Sequence, residues 1–99
     1  MAKFDVFKNP DGNGLLLEVQ SDLLDALNTR IVVPLFVASK APKPAKKLNP
    51  TFNIEGKKYV MVTQFLAAVP SSLLKRPITN LDEQFSEISD ALDLLITGF

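Results

Sequence analysis

Six apolar side chains near the end of the chain, Leu81, Phe85, Ile88, Leu92, Leu95 and Phe99, recur at spacings of four, three, four, three and four. That is one stripe of an amphipathic helix, and such a stripe has to lie against another apolar surface. Asn80 is a suitable N-cap, and Glu83 three residues on completes a capping box. Asp82 and Glu83 also sit favourably at the positive end of the helix dipole. Gly98 is placed to end the helix. Full burial of the six side chains would contribute about 10–15 kcal/mol gross, before the ordering entropy is subtracted.

The surface that receives this helix has to come from short strands. Residues 3–7 (Lys-Phe-Asp-Val-Phe) alternate strictly, which predicts a half-buried strand with Phe4 and Val6 turned inward. Asn9 to Gly14 (Asn-Pro-Asp-Gly-Asn-Gly) is turn chemistry, and Leu15 to Val19 returns as a second strand, so residues 3–20 read as a hairpin. Ser21 to Asn28 is a polar link holding Leu23, Leu24 and Leu27, either one helical turn or a loop. Arg30 to Val37 is a third strand, β-branched at Ile31, Val32 and Val33. Pro34 lacks an amide donor, which predicts an edge or a bulge there.

Three prolines and four lysines between Ser39 and Pro50 predict an exposed loop. Phe52 to Ile54, Glu55-Gly56 and Tyr59 to Thr63 read as a second hairpin. Phe65 to Val69 is apolar and stops at Pro70, and Ser71 to Ile78 adds a further short strand. The sum is a small antiparallel sheet or barrel with the helix packed beside it. At 99 residues with no linker, residues 1–99 read as one domain.

The chain contains neither cysteine nor histidine. A disulfide framework, a thiol nucleophile and a Ser-His-Asp or Cys-His pair are therefore excluded. No P-loop or Gly-x-Gly-x-x-Gly occurs, and the two glycines of residues 9–14 lie between strands, as in a turn. Asp22 and Asp25 are spaced for an acid/base pair, but carboxylates three apart in a polar link are far more often surface groups. No signal peptide and no apolar run of about 20 residues is present, so the expected compartment is the cytoplasm.

The formal net charge is zero, yet the charges are segregated. Residues 26–76 carry nine bases (Arg30, Lys40, Lys43, Lys46, Lys47, Lys57, Lys58, Lys75, Arg76) and one acid, Glu55; residues 77–99 carry five acids and no base. A solvated surface is the ordinary account of such a basic centre, and an acidic partner is the other. Nucleic acid is a poor match for the lysine loop, because no aromatic is interleaved for stacking and no arginine is there to read bases. By residue chemistry alone the chain is a β-rich binding protein.

Val19-Gln20-Ser21-Asp22-Leu23-Leu24-Asp25 and Arg30 to Leu35 together read Val-Gln-Ser-Asp-x-x-Asp…Arg-x-Val-x-Pro-Leu. This resembles the CcdB family of toxins. The likeness continues at Pro50…Ile54, Met61-Val62-Thr63, Ala67-Ala68-Val69-Pro70 and the closing Thr97-Gly98-Phe99. The resemblance implies a mainly β fold, an SH3-like barrel of the CcdB/MazF type with inserted antiparallel strands and a C-terminal α-helix. It implies a homodimeric toxin of a type II toxin–antitoxin module, without enzymatic activity, cofactor or metal. Such a toxin binds the A subunit of DNA gyrase and traps the gyrase–cleaved DNA complex, touching neither nucleic acid directly nor a membrane. A CcdA-type antitoxin with an acidic disordered tail neutralises it.

Carried over by position, the resemblance assigns gyrase contacts to Leu23, Leu24, Asp93, Ile96, Thr97, Gly98 and Phe99. It assigns antitoxin contacts to the first hairpin turn, with Lys8, Asn9 and Asp11, and to the lysine loop, with Lys40, Lys43, Lys46 and Lys47. Familiar members of the family carry tryptophan where this chain has Thr97, which leaves a toxin-inactive homologue that only binds antitoxin as an alternative. A MazF-like endoribonuclease is a further one, although the Arg-Gly-Asp-Ile stretch of that group is absent here.

Overall fold

The computed structural model describes residues 2–98. The calls on Phe99, as the last member of the helical stripe and as a gyrase contact, therefore lie outside the described residues.

Turn chemistry and apolar runs produce seven strands: β1 (Asp5–Lys8), β2 (Leu15–Glu18), β3 (Thr29–Val37), β4 (Thr51–Ile54), β5 (Lys57–Met61), β6 (Ala67–Pro70) and β7 (Thr79–Asn80). Every pairing among them is antiparallel, in the order β4-β5-β3-β2-β1-β7 with β6 also on β3, and the result is a nearly closed, barrel-like sheet. One helix follows, α1 (Phe85–Thr97). Both expected hairpins are present. In the second, Glu55 (φ 52°) and Gly56 (φ 81°) both take the left-handed region, as a two-residue turn between right-twisted strands requires.

The first strand begins at Asp5 rather than Lys3, and its alternation does not separate core from solvent. Phe4, Asp5, Val6 and Phe7 are all buried. The sheet is apolar on both faces. Val6, Leu17 and Val33 align across β1, β2 and β3 on one face, within a cluster closed by Leu81, Ile88 and Ala91. Phe7, Leu16, Val32 and Leu74 form a smaller cluster on the other. A continuous apolar run such as Leu15–Leu17 is what a strand covered on both sides demands.

Pro34 does not mark an edge. β3 lies in the middle of the sheet, along β2 on one side. On its other side Thr29 to Val32 pair with β6 and Leu35 to Val37 with β5. Pro34 sits where β3 changes partner. Its carbonyl oxygen accepts from the Val62 amide there, so the amide it lacks would also face that junction, where no strand needs it. Ser71 to Ile78 is not a strand either. Ser71–Leu73 is a 3₁₀ turn, and pairing resumes only at Thr79 and Asn80.

The helix starts later than its sequence signals predict. The Asn80 side chain accepts from the Asp82 amide at 2.7 Å and donates to the Lys3 carbonyl and the Asp5 carboxylate, so it forms an Asx turn leading into a 3₁₀ turn at Asp82–Gln84. The α-helix itself has no side-chain cap at Gln84, and no capping box forms with Glu83. The stripe is correspondingly rotated: Ile88 and Ala91 are fully buried and Leu92 packs on the core, but Phe85 is 59% exposed and Leu95 is about one third exposed. Gly98 ends the helix as expected, with φ 83° and its amide shared between the Asp93 and Leu94 carbonyls.

Candidate functional site

Residues 22–28, between β2 and β3, are all exposed and include three leucines. Ser21 opens a 3₁₀ turn at Asp22–Leu24, its hydroxyl accepting from the Leu23 amide. Asp22 then accepts from the Lys3 amide at 2.8 Å. Asp22 and Asp25 are thus exposed loop carboxylates, one of them occupied by backbone. Leu23 is 93% exposed, and Leu24 and Leu27 are about half exposed. Residue chemistry alone would place Leu23 and Leu24 in a core; the fold leaves Leu23 in solvent and Leu24 half exposed.

Under this loop lies a buried polar group that sequence reasoning missed. Arg30 and Glu18 are 5% and 3% exposed, and Arg30 Nε stands 3.5 Å from Glu18 Oε2. The Arg30 guanidinium donates to the carbonyl oxygens of Asp25, Leu27 and Thr29. Gln20 donates to the Leu24 carbonyl and accepts from the Ile31 amide. The residues are twelve apart in sequence, and only the antiparallel pairing of β2 with β3 brings them together.

Burial raises the Glu18 carboxyl above its ordinary value of 4.5, against the opposing charge of Arg30 and with help from Asp5. The native state then keeps this proton to higher pH than the unfolded chain does. Stability is therefore expected to fall as pH rises from about 4.5 through the raised value. Urea unfolding at several pH values should show this decline reduced in Glu18→Gln; an identical pH profile in both proteins would refute the assignment to Glu18.

At the helix end, Asp93, Ile96, Thr97 and Gly98 are exposed, Ile96 at 68%. The Thr97 hydroxyl donates to the Asp93 carbonyl at 2.7 Å, so it is folded back onto its own helix. Among the described residues no hydrogen bond joins the helix end to the leucine loop.

The hairpin turn and the lysine loop lie together at the other end of the sheet. β2 runs from the turn toward the leucine loop and β3 returns, leaving the sheet beyond Val37 into the lysine loop. Lys8, Asp11, Lys40, Lys43, Lys46 and Lys47 are exposed and Asn9 is half-buried. Asn9 organises the turn, accepting from the Asp11 amide and donating to the Asn13 carbonyl. The lysine loop is anchored at its far end by buried Asn49, which bonds Ala45, Met61 and Gln64. Thr63, also buried, donates to the Leu48 carbonyl. This anchoring sets Lys47 and Pro50 against Glu87, Asp90 and Leu94 of α1, across a groove of about 540 Å³. Lys47 therefore differs from Lys40, Lys43 and Lys46: it faces the acidic side of the helix.

Among the described residues no cluster of three or more acids is placed to hold a metal ion, and no helix is long and apolar enough to cross a membrane. Compared with known families, the chain matches the family model described as CcdB protein over residues 3–98.

Proposed function

The chain belongs to the CcdB family of toxins of toxin–antitoxin systems, and from that premise we propose that it binds the A subunit of DNA gyrase and traps the gyrase–cleaved DNA complex without enzymatic activity of its own. The observation that carries this reading is Leu23, 93% exposed on a loop whose backbone is bonded from beneath by buried side chains. A large apolar side chain held outward in this way suits a partner's pocket better than it suits water. Leu24 and the helix end, with Asp93, Ile96, Thr97 and Gly98, complete the proposed gyrase surface, to which the family resemblance adds Phe99.

We take the working form to be a homodimer joined through the sheet edge and the C-terminal helices. Two features support this. Among the described residues β6 pairs with β3 alone and offers a free edge, and the adjoining turn at Thr63–Phe65 lies against α1 with Phe65 exposed. A two-fold assembly would present each surface twice.

Purified protein incubated with gyrase, plasmid DNA and ATP should leave linear DNA after denaturation, and the same sample should sediment as a dimer at micromolar concentration. A dimer that leaves no trapped breaks would favour the alternative, a homologue that only binds antitoxin. Thr97 motivates that alternative, since its hydroxyl is bonded to Asp93 and no ring stands at that position.

The antitoxin surface is proposed to run from the first hairpin turn along the lysine loop. Its separation from the leucine loop by the length of β2 and β3 supports distinct footprints there, while at Lys47 and Pro50 it borders α1 beside Asp90 and Leu94. Reversing charge at Lys40, Lys43 and Lys46 should weaken binding of an acidic antitoxin tail by about tenfold or more at low salt, and flatten its salt dependence. Gyrase binding should change by less than about twofold, because these lysines lie outside that surface. Calorimetry at two salt concentrations decides, and equal loss of both partners would refute separate surfaces.

A further inference from the structure

None of residues 22–28 is buried, so this segment has no apolar anchor of its own. Three exposed leucines on an unrestrained loop would fold under to escape water. What prevents this lies below. Arg30 turns its guanidinium back beneath the loop and donates to Asp25 O at 2.7 Å, Leu27 O at 2.6 Å and Thr29 O at 2.9 Å. Gln20 donates to Leu24 O at 3.0 Å and is itself fixed by the Ile31 amide at 3.1 Å. Glu18 supplies the counter-charge that lets a guanidinium sit in a buried place. A planar fork of five donors suits several carbonyls at once, which a lysine ammonium does not match.

We infer that Arg30 and Gln20 are positioning residues for the leucine loop, holding residues 22–28 in one outward shape from the buried side so that Leu23 and Leu24 meet their partner already ordered. This rests on the reading of those leucines as gyrase contacts. A loop ordered in advance does not lose its conformational freedom on binding, and affinity rises accordingly.

The test uses the whole protein and two variants, Arg30→Lys and Gln20→Met. Amide hydrogen exchange is followed at residues 23–27 and, as a measure of folding, at Leu17 and Val33; affinity for purified gyrase A subunit is measured beside it. Loop exchange should rise at least about tenfold in each variant while the sheet amides stay within about twofold. Gyrase A affinity should fall about tenfold or more. Unchanged loop exchange in the folded variants overturns the inference, as does a loosened loop that binds gyrase A at wild-type strength. If both variants lose sheet protection together with the loop, the two side chains are struts of the core and the inference is wrong. Failure of the wild-type protein to bind gyrase A would sink the gyrase reading alone; selective loosening of residues 23–27 would still sustain the positioning role, and its absence would still overturn it.

Discussion

Leu23→Asp combined with Ile96→Lys is expected to reduce gyrase poisoning by about 100-fold or more while leaving the melting temperature within about 3 °C of wild type. The two side chains are 93% and 68% exposed, so little packing is lost in the free protein. The charges are chosen to suit their places. An acid falls in the first turn of the 3₁₀ segment at Asp22–Leu24, and a base falls in the last turn of α1, where the helix dipole favours it. In a complex the same charges would have to be stripped of water against an apolar pocket. Each site is expected to cost about 2 kcal/mol of binding. The assay pairs gyrase-mediated DNA cleavage with thermal unfolding of one preparation. Undiminished poisoning by the folded double variant would remove both patches from the gyrase surface.

Gly14→Ala is expected to destabilise the protein by about 2–4 kcal/mol, lowering the melting temperature on the order of 10–25 °C. Gly14 has φ 70°, which alone costs a residue with a side chain about 1–2 kcal/mol. A Cβ there would also stand 2.3 Å from the Leu35 carbonyl oxygen, in the backbone of β3, which has no side-chain freedom with which to yield. Gly12 is the internal control. It has φ 83° and open space where its Cβ would stand, so Gly12→Ala should show only the conformational part, about 1–2 kcal/mol. Melting curves of the two variants side by side decide, and equal losses would show that β3 does not crowd the turn.

The hairpins were legible because their turns are written locally. Asn-Pro-Asp-Gly-Asn-Gly is dense in turn residues, and Gly56 between two apolar runs supplies the positive φ that the second turn needs. Burial was less legible, because alternation reports one covered face and β1, β2 and β3 are covered on both. Asn80 misled for a related reason. Its side chain is spent on Lys3, Asp5 and Asp82, partners set by the pairing of β7 with β1, so α1 begins five residues later.

Of the candidate site, the motif from Val19 to Asp25 with Arg30 singled out this loop by resemblance, whereas residue chemistry alone put Leu23 and Leu24 in a core, and the structure exposes them. Their exposure depends on Arg30 reaching back to Asp25, and on Glu18 standing across the strand pair from it. No window of adjacent residues contains that arrangement. A charged residue closing the run Leu15–Leu17 and another opening the run Ile31–Val33 was the available signal for a buried pair.

The change of partner at Pro34 bears on how the molecule comes apart. β3 is held on one side by two independent zippers, β6 along Thr29–Val32 and β5 along Leu35–Val37, with no shared rung between them. The hairpin of β4 and β5 carries Phe52 and Ile54 of the main core, so opening its zipper would expose them, while β6 would keep its rungs on the strand that leads out of the leucine loop.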